Sequence, residues 1–70
     1  MKVRDAIRIL EEHGFRLKRT RGSHRQFEGV VSGQRRLVTV AGKEGDELAR
    51  PTLASIARQS ALPGRVFGRR

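Results

Sequence analysis

Two histidines are the only side chains in this sequence that ordinarily titrate near neutral pH, and they stand in different company. His24 follows Gly22 and Ser23 and lies within a cationic run made by Arg16, Lys18, Arg19, Arg21 and Arg25. An imidazole titrating near ~6.5 can take a proton from a sugar hydroxyl and hand it on, while guanidinium groups grip phosphate oxygens in pairs. Such a group of residues suits the binding of a phosphodiester or chemistry upon it. His13 falls in the last turn of an expected helix, where a cation complements the negative end of the helix dipole, and it is read as structural. The absence of cysteine excludes disulfides, thiolate zinc sites and a cysteine nucleophile together. No carboxylates cluster with the histidines at metal-ligand spacing, and neither GxxxxGKS/T nor GxGxxG occurs, so no metal and no cofactor are expected.

The elements that must position these residues are legible from period and punctuation. Val3, Ala6, Ile7 and Leu10 follow the spacing of one helical stripe, which predicts a helix over residues 3–13. Gly14 supplies the left-handed residue that closes it, with Leu10 and Phe15 as the apolar pair of a Schellman cap. From Phe15 the period changes to two: Phe15 and Leu17 alternate with Arg16, Lys18 and Thr20 in a first strand with one buried face. Arg21-Gly22-Ser23 reads as a tight connection, with Gly22 free to take positive φ, to a second strand beginning at His24, in which Phe27 marks the buried side. That phase puts Arg25 on the buried side and His24 and Gln26 on the other. Residues 32–34 read as a hairpin turn into a third strand over 36–40, with Val38 and Val40 inward. Residues 41–49 read as a loop, and a second helix starts near Pro51, carries Leu53, Ile56, Ala57 and Ser60 on one stripe, and ends before Pro63-Gly64.

The order α-β-β-β-α predicts an α+β fold: a three-stranded antiparallel sheet with both helices on one face, as in double-stranded-RNA-binding domains. The opposite face is then open, carrying Arg16, Lys18, His24 and Gln26. A chain of 70 residues makes one small domain, expected over residues 1–62, with 63–70 as a flexible basic tail. No stretch approaches the ~20 apolar residues of a membrane span, and the charged start is unlike a signal peptide, so a cytoplasmic protein without membrane contact is expected. Net charge is +9, and thirteen of sixteen cations are arginine, which makes a polyanion the expected partner. Aromatic residues are 4%, all phenylalanine and two of them committed to the core, which argues against a base-stacking platform. From the residues alone three readings stay open: catalysis through His24, a non-catalytic RNA- or DNA-binding module, and a basic surface for an acidic protein.

The hexapeptide Gly22-Ser23-His24-Arg25-Gln26-Phe27 resembles the HicA toxin family, the ribonuclease half of HicAB toxin–antitoxin systems. Around it, Glu12-His13-Gly14-Phe15 resembles the end of the family's first helix, Leu37-Val38-Thr39-Val40 its third strand, and residues 51–56 with Gln59 its last helix. The resemblance implies a type II toxin that cleaves mRNA without a metal through one essential histidine, here His24. It also implies a HicB-type antitoxin that covers the same surface, with DNA contacted only through that complex. On this reading Lys18, Arg21 and Arg25 neutralise charge at the phosphate, Gly22 lets RNA approach the backbone, and Ser23 orients the histidine or donates to phosphate. The chain departs from the family after the third strand, where Ala41-Gly42-Lys43 replaces a Pro and a His common in the family; Lys43 keeps the charge and loses the proton exchange.

Overall fold

Val3, Ala6, Ile7 and Leu10 form the buried stripe of α1 (Val3–Glu12) in a computed structural model that describes residues 1–68. The expected Schellman cap closes it: Phe15 N–H donates to the Leu10 carbonyl at 2.9 Å and Gly14 N–H to that of Glu11 at 3.1 Å, with Gly14 at φ +90°. His13 caps the helix end, its Nδ1 lying 2.8 Å from the Ile9 carbonyl oxygen, so the ring serves the helix terminus. Phe15, delivered by that cap, is 1% exposed.

Three strands follow, β1 (Arg16–Arg21), β2 (His24–Val31) and β3 (Gln34–Ala41), all antiparallel in the order β1-β2-β3. Two two-residue turns join them. Gly22 at φ +59° permits the first, and Ser32 and Gly33, at φ 53° and 79°, make the second, where both central residues take the positive φ of a type I′ hairpin. On the covered face Phe27, Val38 and Val40 meet the stripe of α1, Ile56 of α2 (Arg50–Ser60) and Phe67 of α3 (Arg65–Gly68) in one core. The open antiparallel sheet with helices on one face is thus the α+β fold that the element order predicts.

Gly29 marks the tightest approach within this core. A Cβ there would lie 2.7 Å from Cγ of Phe15 and 2.9 Å from both Cδ atoms, closer than real carbon contacts allow. Gly29→Ala is therefore expected to destabilise the protein by about 1–3 kcal/mol, the usual range for overpacking. Urea denaturation checks this as a lower midpoint at unchanged m-value. At the other end of the core, α2 stops at Ser60 rather than at Leu62. The buried Ser60 hydroxyl donates to the Ala57 carbonyl at 2.8 Å and accepts from Leu62 N–H at 3.1 Å, while Ala61 turns left-handed at φ 62°. That conformation costs an L-residue roughly 1–2 kcal/mol, so Ala61→Gly is expected to raise stability by about 0.5–1 kcal/mol and the melting temperature by a few degrees.

Two expectations are corrected by packing. Leu17 shares its face with its cross-strand partner Phe27 yet is 53% exposed, because the helices lie against β3 and leave the inner side of edge strand β1 uncovered. Residues 63–70 were expected as a flexible tail, but Arg65–Gly68 forms α3 and inserts Phe67 into the core at 2% exposure. Burying a phenylalanine outweighs the local signal of the flanking arginines and glycines. Arg69 and Arg70 lie outside the described residues.

Candidate nucleic-acid interface

The site is assembled by an irregularity in β1. Leu17 pairs with Phe27, but Arg19, not Lys18, pairs with Gln26, so one extra residue is inserted at Lys18. Strict alternation from Leu17 would send Arg19 and Arg21 to the helix-covered face. A β-bulge shifts the phase by one residue and turns them over. Arg19 then stands beside Gln26 and Thr39, and Arg21 beside His24 and Ala41, all on the open face. Together Arg19, Arg21, His24, Gln26 and Thr39 line a shallow depression of about 200 Å³. The bulge residue Lys18 reaches the same face, where its Nζ lies 3.9 Å from Glu28. Glu28 also accepts from Arg35 at 2.8 Å, so it neutralises cations on the half of the face away from His24.

Of the residues singled out in the sequence, His24, Arg21 and Lys18 therefore lie on one surface, with Gly22 and Ser23 in the exposed turn beside it. Arg25 does not join them. It lies on the covered face, partners Thr20 and Val40, and binds Glu44 at 3.2 Å and the Gly42 carbonyl at 3.3 Å. There it acts as a strut to the loop after β3. That loop is well tied: Gly42 N–H donates to the Ser23 carbonyl at 3.0 Å, while the Glu44 and Asp46 carbonyls accept the first N–H groups of α1 from Arg4 and Val3 at 3.1 and 2.9 Å. Lys43 is exposed on this loop, its N–H held by Asp46 Oδ2 at 2.9 Å, one residue from the backbone bonded to the hairpin that carries His24.

Sequence reading missed Arg19 and Thr39 as lining residues. The available signal for Arg19 was the run Lys18-Arg19-Thr20-Arg21, whose three cations in four positions fit poorly with a strand that buries alternate residues. Because Arg19 and Arg21 are the cations facing the depression, replacing both with Gln is expected to weaken the binding of any polyanion to this face. The slope of log affinity against log salt should also become shallower by roughly 0.7 for each phosphate no longer neutralised, measured by fluorescence anisotropy with a labelled single strand.

Among the described residues no group of three or more His, Asp or Glu is placed to hold a metal ion, and no helix is long and apolar enough to cross a membrane. Residues 3–62 match the family model described as the HicA toxin of bacterial toxin–antitoxin systems. The chain is thus the toxin component of such a pair, and it belongs to the HicA toxin family. No curated protein matches it.

Proposed function

We propose that the chain is a metal-independent endoribonuclease that cleaves mRNA in the cytoplasm through His24. The observation that carries this reading is the position of His24: on the open face of the sheet, in a depression it shares with Arg19 and Arg21. His24 removes the proton from a ribose 2′-OH. The oxygen forms a bond to the adjacent phosphorus, the P–O5′ bond breaks, and the products are a 2′,3′-cyclic phosphate and a 5′-hydroxyl that takes its proton from water or a cationic side chain. Arg19 and Arg21, with Lys18 beside them, stabilise the charge that grows on the phosphoryl oxygens in the transition state. The Gly22-Ser23 turn lets the RNA backbone come close. Arg25 acts one step removed, holding the loop that carries Lys43.

A HicB-type antitoxin neutralises the toxin by covering this face, and DNA is met only through that complex. The competing reading is a non-catalytic RNA- or DNA-binding module; what favours it is Lys43, which cannot exchange protons as the family's histidine can. Incubating the purified protein with RNA in EDTA separates the two. The enzyme gives fragments ending in cyclic phosphate and spares a substrate with a 2′-deoxy sugar at the cut. A binding module leaves RNA intact while retaining salt-sensitive affinity.

A further inference from the structure

Gln26 and Thr39 are the neutral polar members of a depression otherwise lined by two arginines and a histidine. They are directly paired across β2 and β3, and the register puts them on the same face as His24. Neither side chain has a hydrogen-bond partner among the described residues, although Gln26 is half-buried in the central strand. Their backbone is nevertheless held firmly. Thr39 N–H donates to Gln59 Oε1 at 2.9 Å, and Gln59 in turn donates to Ser55 Oγ at 3.0 Å, which ties the outer edge of β3 to α2. A rigid platform thus presents one amide and one hydroxyl with unused capacity.

The chemistry of those two groups differs from that of the cations around them. Arginine and lysine donate only and serve phosphate well. A carboxamide sets a donor beside an acceptor in one plane, a pair that the exposed edge of an unpaired base can complement. Gln26 lies two residues from His24 on one strand, about 7 Å along it, so a base can lie over the amide while its own sugar lies at the imidazole. Bases of single-stranded RNA are free to splay onto a protein surface in this way.

We propose that Gln26, assisted by the Thr39 hydroxyl, reads the base of the nucleotide whose 2′-OH faces His24 and sets which base is preferred there. This inference rests on the reading of the face as an RNA-cleaving site. The test uses four single-stranded oligoribonucleotides that differ only in the base 5′ of a single cleavable bond. The wild-type protein is expected to cut the best of the four about tenfold faster than the worst. Gln26→Ala is expected to flatten the four rates. Gln26→Glu, close in size, keeps the acceptor and loses the donor, so it should change the order of the four rates. A flat wild-type profile, or a base preference that survives in Gln26→Ala, overturns the inference while leaving His24-dependent cleavage standing. Should the wild type cut none of the four, titration with nucleoside 3′-monophosphates followed by NMR still decides. Tighter binding of one monophosphate that shifts the Gln26 amide and is lost in Gln26→Ala upholds base reading, and equal affinity for all four overturns it.

Discussion

Replacing His24 with alanine is expected to reduce RNA cleavage by about 10²–10⁴-fold, the contribution typical of a positioned general base or acid. The protein itself should be indifferent to the change. His24 is exposed at the first position of β2, paired with Arg21 and Ala41 through its backbone, and it stands outside the core cluster that α1, α2 and Phe67 share with the sheet. Melting temperature and circular dichroism are therefore expected to stay at wild-type values. RNA affinity should fall little, since Arg19 and Arg21 supply the charge in the depression. Loss of cleavage with binding and folding retained is the signature of a proton-transfer role. His24→Gln adds a control, because it keeps a polar group of similar reach that cannot exchange protons near neutral pH. Cleavage at the wild-type rate in either variant would remove His24 from the mechanism and place the chemistry on another group.

The second large effect concerns the far end of the chain. Phe67→Ala is expected to cost about 3–5 kcal/mol, the range for truncating a buried aromatic residue. Phe67 is 2% exposed and packs in the cluster that contains Val3, Ile7, Leu10 and Ile56. A core of this size supplies only about 3–5 kcal/mol in all, so the variant should be largely unfolded at 37 °C. Truncation after residue 62 removes the same side chain and should behave alike. Thermal denaturation followed by circular dichroism checks both, and a truncated chain that melts with the wild type would refute the role of α3 in the fold. The matched family region ends at residue 62, so this stabilising segment lies beyond it.

The local elements were readable because each is encoded by neighbours in the chain. The α1 stripe, the cap at Gly14 and the tight connections at Gly22 and Ser32-Gly33 all appear where residue types and spacing place them. The phase of β2 was equally legible. Phe27 inward requires His24 and Gln26 outward and Arg25 inward, and the sheet has that arrangement. β1 resisted the same reading, because alternation assumes an unbroken pleat and Lys18 interrupts it.

The amino-acid sequence alone therefore determined the α-β-β-β-α order, the excess of arginine and the outward placement of His24, since period two and turn chemistry act over a few consecutive residues. Only the tertiary structure decided that Arg19 and Arg21 flank that histidine, that Arg25 binds Glu44 in the loop after β3, that Leu17 stays exposed and that Phe67 is buried. Register is a relation between two strands, and coverage is a relation between a side chain and helices distant in sequence. Both are settled when burial of the whole apolar surface is optimised at once, which no local pattern encodes.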